Sequence, residues 1–292
     1  MRTEVTTPVP VRIDPYAPGE IAHNVAAVGV AKARLDALST VALAVLAGAF
    51  IALGAQFSTV ASTGAAGGFG PSRVLAGVAF SLGLILVVVA GAELFTGNNL
   101  IVMAWASGQV TTAQLLRNWG LVYLGNFVGA VGTALLVYLS GQWRMDGGAV
   151  GATTVAIATA KVTLAPAEAF FRGVLCNALV CLAVWLSYSA RTTTDKILAV
   201  VPPIAAFVAG GFEHSVANMY FVPLGMLVAT QPSMVGAADV ASLRWESFLL
   251  HNLLPVTLGN VVGGGVLVGA VYWLVYLRPS RRRAGAAAPG EG

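Results

Sequence analysis

Charged residues are absent from several long stretches of this chain. Segments without Asp, Glu, Lys or Arg include 37–72, 74–92, 94–116, 118–143, 173–190, 197–212 and 247–277. A helix that crosses a lipid bilayer needs about 20 mostly apolar residues, and about 17 at the short end. Several stretches reach that length alone, and two more are interrupted by a single acidic residue. The pattern predicts an all-α membrane protein.

The apolar runs predict six spans. These cover about 37–59, 75–106, 113–140, 168–190, 196–229 and 247–277. Polar, glycine-bearing segments break the second span near 91–99 and the fifth near 210–218. Non-helical backbone at membrane depth is tolerated only when it is buried in protein or lines a cavity. We therefore expect both breaks to lie inside the protein.

Composition agrees with a membrane location. The chain of 292 residues is 57% hydrophobic and 10% charged, with a mean hydropathy of +0.81. Soluble domains carry about 25% charged residues. With six spans, 11 Lys and Arg residues fall on the side of the termini and 5 on the other side. The positive-inside rule then predicts a multi-pass protein of the plasma (inner) membrane with both termini in the cytoplasm, and the net charge of +4 indicates no nucleic-acid partner.

The chain repeats itself at a spacing of 134 residues. Segments 118–129 and 252–263 are identical at seven of twelve positions, including Leu-Gly-Asn. The third and sixth spans are therefore predicted to be equivalent. Because each half then holds three spans, the second half must enter the membrane from the opposite side. Broken helices at matching positions of inverted repeats indicate a transport pathway at the bilayer midplane.

Four segments make up the predicted domain organisation. Residues 1–18, with four prolines, are expected to form a flexible tail. Residues 19–36 are predicted to form an amphipathic helix at the membrane interface. Residues 37–278 form the six-span pore domain, and the basic segment 279–292 is expected to be disordered.

The ionisable residues of the two breaks are the strongest site candidates. Glu93 and Glu213 occupy matching positions, so we expect both to hold the loops in shape by binding freed backbone amides, with Asn98 and Asn218 as further structural residues. His214 has no histidine counterpart in the first half. It could hold an anion or hand it a proton. Thr96 could orient the histidine or the substrate by hydrogen bonding.

Each of the other candidate residues near the breaks has two possible roles. Phe80, Leu84, Leu94 and Phe207 either form apolar constrictions or pack helices. Asn177 either faces the pathway or joins helices. Lys161 either draws anions into a vestibule or is only solvated.

No enzyme motif competes with the transport reading. The two cysteines, Cys176 and Cys181, lie in an apolar run and suggest neither a disulfide nor a metal site. No hydrolase, phosphate-loop or dinucleotide motif occurs, so we expect no cofactor and no enzyme activity. A neutral-solute channel of the aquaporin type should carry Asn-Pro-Ala at each break, and the sequence contains no Asn-Pro.

Five motifs in order resemble the formate/nitrite transporter family. They lie at 90–97, 118–126, 177–185, 211–219 and 252–260, and the resemblance covers about 19–278. It implies an aquaporin-like homopentamer with one pore per subunit. It also implies roles for individual side chains: pore residues His214, Thr96, Asn177 and the vestibule residue Lys161, and constriction residues Phe80, Leu84, Leu94, Phe95 and Phe207.

The resemblance extends to a substrate class. The Leu-Pro-Val-Thr-Leu-Gly-Asn and Gly-Gly-Gly segments of the sixth span are similar to those of formate members. We therefore expect proton-dependent passage of formate, with membrane lipid and protons as the other partners. Nitrite or hydrosulfide is the alternative within the family.

Overall fold

The computed structural model describes residues 13–231 and 240–278, and all regular secondary structure in those residues is helical. The predictions for residues 1–12 and for the tail at 279–292 lie outside the described residues. The main helices are α1 Pro18–Arg34, α2 Ala37–Ser62, α3 Phe69–Gly91, α4 95–106, α5 Thr112–Leu139, α6 Ala149–Val162, α7 Pro166–Ser187, α8 Thr193–Ala209, α9 Ser215–Ala229 and α10 Ser247–Leu277.

Five of these helices are long and apolar enough to cross a membrane. They are α2, α3, α5, α7 and α10, with mean hydropathies from 1.7 to 2.6. The predicted fifth span is divided: α8 has 17 residues and α9 has 15, so neither reaches the length of the others. The division has a local cause in the backbone between them.

Each break contains a glycine in the left-handed region. After α3, Gly91 has φ +84°, and α4 begins at Phe95. After α8, Gly211 has φ +71°, and α9 begins at Ser215. Residues other than glycine rarely adopt this backbone conformation, because their Cβ atom would clash with the backbone. The chain therefore leaves the helix at a matching glycine in each half.

Small residues bring two helix pairs into close contact. A Cβ added to Gly129 of α5 would lie 2.0 Å from the carbonyl oxygen of Val45 in α2. A Cβ added to Gly263 of α10 would lie 2.1 Å from that of Val174 in α7. Such distances are far below van der Waals contact. Without a hydrophobic driving force between helices in lipid, close backbone packing of this kind holds spans together.

The helices outside the spans also pack against the core. The helix α1 buries Ile21, Val25 and Ala26 near α4 and the end of α10. The helix α6 was not predicted, and it packs against α9, where an added Cβ on Gly225 would lie 2.2 Å from Ala158. Both helices bring a lysine to a break.

Candidate functional site

A closed set of hydrogen bonds holds the first break. The buried carboxylate of Glu93 accepts from Lys32 Nζ at 2.6 Å and from Asn98 Nδ2 at 2.7 Å. Asn98 also donates to Asn118 Oδ1 at 2.9 Å. Asn118 in turn donates to the carbonyl oxygen of Lys32 at 3.1 Å. The set joins α1, α4 and α5 through one buried carboxylate.

The second break contains the same arrangement. Glu213 accepts from Lys161 Nζ at 3.0 and 3.2 Å and from Asn218 Nδ2 at 2.7 Å. Asn218 donates to Asn252 Oδ1 at 2.8 Å, and Asn252 donates to the carbonyl oxygen of Lys161 at 2.9 Å. Lys161 on α6 is thus the counterpart of Lys32 on α1. The sequence had already matched the two glutamates and the pair Asn118 and Asn252. It did not match the lysines, because their spacing of 129 residues differs from the 134 residues between those two asparagines.

Two further asparagines hold the backbone of the breaks. Asn126 Oδ1 accepts the amide of Phe95 at 2.9 Å, and its Nδ2 donates to the carbonyl oxygen of Glu93 at 2.9 Å. Asn260 makes the same contacts with the amide of Ser215 and the carbonyl oxygen of Glu213, at 2.9 and 3.0 Å. The expectation that the glutamate side chains bind the freed amides is therefore wrong. Both carboxylates accept instead from lysine and asparagine side chains, and the freed amides are bound by Asn126 and Asn260.

His214 and Thr96 meet between the two breaks. His214 Nε2 lies 3.0 Å from Thr96 Oγ1, and both side chains are buried. The other ring nitrogen, Nδ1, accepts the backbone amide of Ala217 at 3.1 Å and so caps α9. An accepting Nδ1 carries no proton, so the neutral ring has its proton on Nε2 and donates it to the threonine hydroxyl. The hydroxyl proton of Thr96 is then directed away from the ring.

Two cavities lie beside the breaks, one lined by residues of the first break and the other by residues of the second, including His214. One, of about 690 Å³, is lined by Lys32, Glu93, Leu84 and Leu94 among others, and we name it the Lys32 vestibule. The other, of about 530 Å³, we name the Lys161 vestibule. Its lining includes the charged residues Lys161 and Glu213, the aromatic residues Phe80 and Phe207, and His214. The buried histidine is therefore part of the wall of the Lys161 vestibule.

Comparison with known proteins places this arrangement in a family. The sequence profile described as Formate/nitrite transporter matches residues 19–274. The chain belongs to the formate/nitrite transporter family. The formate channel FocA of Escherichia coli (strain K12) is 45% identical over 269 residues, which cover 89% of this chain and 94% of FocA. A probable formate transporter of Methanothermobacter thermautotrophicus is 38% identical over 278 residues, which cover 89% and 97%.

Two solved structures have the same fold. A pentameric formate channel with formate bound has a TM-score of 0.77 and 44% identity, over 83% of this chain and 98% of that one. An ion channel of the FNT family has a TM-score of 0.77 and 32% identity, over 88% and 98%.

The predicted constriction residues of this family member fall into three groups. Leu84 and Leu94 line the Lys32 vestibule. Phe80 and Phe207 line the Lys161 vestibule with their ring centroids 5.4 Å apart, and Phe207 stacks on the ring of His214 at 5.9 Å. Phe95 lines neither cavity and packs edge-on against aromatic rings of α5.

Asn177 lies away from both vestibules. Its side chain is fully buried, and Nδ2 donates to Asn99 Oδ1 at 2.8 Å and to the carbonyl oxygens of Asn260 and Thr96 at 2.7 and 3.3 Å. The reading of Asn177 as a group that joins helices fits these contacts better than a pore-facing role. Asn99, which the sequence reasoning did not single out, shares this contact.

Electrostatics around the site comes from paired charges. Each break glutamate faces one lysine, and the second ion pair is the more enclosed, with side-chain exposures of 13% for Lys161 and 6% for Glu213. In the described part of the chain, no group of three His, Cys, Asp or Glu side chains could hold a metal ion. Cys176 and Cys181 are buried free thiols.

Proposed function

We propose that this chain is a channel or transporter for formate and for related small monovalent anions, whose passage depends on protons. The observation that carries the proposal is the buried hydrogen bond between His214 and Thr96, which joins the two helix breaks in the wall of a vestibule. The names of the relatives support formate over nitrite as the main substrate.

The pathway that we propose runs between two inverted repeats of an aquaporin-like fold. The first repeat holds α1 to α5 and the second α6 to α10, with α3–α4 and α8–α9 as the broken second and fifth of six spans. The support is the pair of matching networks around Glu93 and Glu213. A protein scaffold that repeats lysine, glutamate and three asparagines in the same contacts is difficult to explain without a common ancestor of the two halves.

The chemistry at the centre favours a carboxylate over a neutral solute. In its neutral form, the ring of His214 donates to Thr96, which leaves the threonine hydroxyl proton available for an anion oxygen. In its protonated form, the ring adds a positive charge at the same point. Protonation also requires Nδ1 to release the amide of Ala217, because two donors cannot share that contact. Proton uptake is thereby coupled to the first turn of α9.

Apolar side chains on each side of the histidine restrict what passes. Leu84 and Leu94 face one vestibule, and Phe80 and Phe207 face the other. Rings of apolar side chains oppose the entry of hydrated ions. A formate ion that gains a proton becomes a neutral acid and crosses such a layer at much lower cost. This explains why a weak-acid anion suits the site better than chloride.

We further propose that the chain is a homopentamer in the plasma (inner) membrane with both termini in the cytoplasm. The related formate channel described as pentameric supports the assembly. The positive-inside distribution supports the orientation, in which the Lys32 vestibule faces the cytoplasm. Residues 18–34 would then lie at the cytoplasmic interface.

Flux into liposomes tests the function. Purified protein should carry formate faster than nitrite or hydrosulfide, with a rate that changes strongly with pH. A His214→Phe variant that assembles should lose most of that pH dependence. Faster nitrite or hydrosulfide flux would overturn the choice of substrate, and no flux of any of the three would overturn the transport proposal. Wild-type rate and pH dependence in the His214→Phe variant would refute the role of the histidine.

A further inference from the structure

The lysine of the Lys161 vestibule is already neutralised. Lys161 Nζ lies 3.0 and 3.2 Å from the two carboxylate oxygens of Glu213, and both groups are mostly buried. A cation held at that distance by a carboxylate presents little net charge to a distant anion. An anion that enters this vestibule must therefore meet positive charge elsewhere.

Two arginines of the same vestibule converge on Gly211. A Cβ added to this glycine would lie 3.3 Å from Arg73 Nη2 and 4.0 Å from Arg172 Nη1. Arg73 donates to the carbonyl oxygens of Val208 and Ala209, at 2.5 and 3.2 Å, at the end of α8. Its guanidinium is thus fixed beside the break that leads to the histidine.

Arg172 has few firm partners. Its Nη1 lies 3.5 Å from the carbonyl oxygen of Gly211, and its Nη2 lies 3.6 Å from Glu168. The side chains of Arg172 and Glu168 are 43% and 60% exposed, and exposed ion pairs of this kind contribute little. A guanidinium has five N–H donors in a planar fork that matches a carboxylate. Most of those donors remain available to a ligand in the vestibule.

The other vestibule has no cation at the equivalent position. The carbonyl oxygen of Arg172 accepts the amide of Glu213 at 3.3 Å, and that of Leu43 accepts the amide of Glu93 at 3.2 Å. Arg172 and Leu43 are therefore counterparts, and each lines its own vestibule. Because the scaffold is the same in both halves, it does not require an arginine here.

We propose that Arg172, with Arg73 beside it, forms a recruiting site for small monovalent carboxylates in the Lys161 vestibule, ahead of His214. Arg172 would bind the carboxylate through two N–H groups, and Arg73 would add charge without leaving the end of α8. The charged lining of this vestibule consists of three cations, Arg73, Lys161 and Arg172, against the single carboxylate of Glu213. A cavity whose charged lining is mainly of one sign and whose other walls are apolar concentrates ions of the opposite sign. This inference rests on the proposed transport of formate.

Formate uptake by vesicles with the Lys161 vestibule outward tests the proposal. Arg172→Gln should raise the half-saturating formate concentration by about tenfold, the effect of one charge-assisted hydrogen-bond pair, with a maximal rate within about twofold of wild type. Arg172→Lys keeps the charge and should show a smaller rise. High salt should weaken uptake by wild type more than uptake by Arg172→Gln, because salt screens the charge that the variant lacks.

Arg144→Gln is the matched control. Arg144 is an exposed arginine that lies over the ring of Trp143, at 4.8 Å, and not among the residues that line the vestibule. Its removal changes the surface charge by the same amount and should leave half-saturation unchanged. An unchanged half-saturation in Arg172→Gln, or an equal rise in Arg144→Gln, would overturn the recruiting site while formate flux by wild type still upheld the transport function. No formate flux by wild type would overturn both proposals.

Discussion

Replacement of Thr96 by valine isolates the hydrogen bond at the centre of the proposed pathway. Valine keeps the shape of threonine, so the buried site gains neither a cavity nor a clash. The neutral ring of His214 then keeps its proton on Nε2 but loses the acceptor that lay 3.0 Å away. An orphaned buried donor costs about 1–3 kcal/mol. Since Nδ1 is occupied by the amide of Ala217, the ring cannot recover the loss by changing its tautomer.

A formate ion that reaches the ring supplies the missing acceptor. The anion exchanges the hydroxyl donor of Thr96 for the ring donor of His214, and in doing so it relieves the orphaned ring donor. It should therefore bind Thr96→Val more tightly, by at most the cost of that orphaned donor, a factor between about fivefold and about 150-fold. Tighter binding at the centre slows release, so both the half-saturating concentration and the maximal rate of formate flux should fall. Liposome flux at constant pH measures both. A thermal unfolding scan in detergent measures the loss of stability.

Thr96→Ser serves as the control, because it retains the hydroxyl. It should show half-saturation and a maximal rate close to those of wild type. If Thr96→Val raised the half-saturating concentration, or if the serine and valine variants behaved alike, the hydrogen bond would not set the affinity of the centre and the reasoning would be refuted.

Two further predictions concern the scaffold. Gly129→Ala should destabilise the protein by about 3 kcal/mol or more, since the new Cβ would lie 2.0 Å from the carbonyl oxygen of Val45, whereas Gly132→Ala should be neutral because nothing lies within 4 Å. Equal thermal midpoints of the two variants would contradict the close packing. Lys161→Met should cost about 3–5 kcal/mol because it leaves a buried carboxylate unpaired, and adding Glu213→Gln should restore part of the stability. No recovery in the double variant would argue against the ion pair as the cause.

The long apolar helices could be predicted closely from sequence. The sixth predicted span, 247–277, agrees with α10, and the third, 113–140, differs by one residue at each end from α5. These apolar segments contain no charged residue or very few, and charged or capping residues flank them, so their ends can be recognised in the sequence. The helix α6 was missed because its 14 residues are too short for a span and carry Lys161 near the end. Its position depends on packing against α9, which no local pattern records.

Residues of the site were recognisable, but their contacts were not. Glu93, Glu213 and His214 stood out because ionisable groups are rare within apolar spans. The lysine partners could not be assigned, since α1 and α6 approach the breaks from distant parts of the chain. Lys161 was expected either to draw anions into a vestibule or to be solvated, and neither interpretation gave it a partner, whereas the structure pairs it with Glu213. The partners of the two ion pairs are 61 and 52 positions apart in the sequence, so only the tertiary structure brings them together.

The differences between the two halves locate the chemistry better than their similarities do. The charges and amides that hold the breaks are duplicated, so they describe a scaffold. Several buried polar residues lack a polar counterpart in the other half. Among them, His214 matches Leu94, Thr96 matches Val216, and Asn177 matches Gly48. The match of Asn177 with Gly48 is based on their contacts. Asn177 donates to the carbonyl oxygen of Asn260, and a Cβ added to Gly48 would meet the carbonyl oxygen of Asn126, the counterpart of Asn260. His214, Thr96 and Asn177 belong to one connected set of hydrogen bonds, because Asn177 also donates to the carbonyl oxygen of Thr96. On the proposed pathway, this set and Arg172 distinguish the two halves, so substitutions there, rather than in the duplicated scaffold, should change the choice of anion.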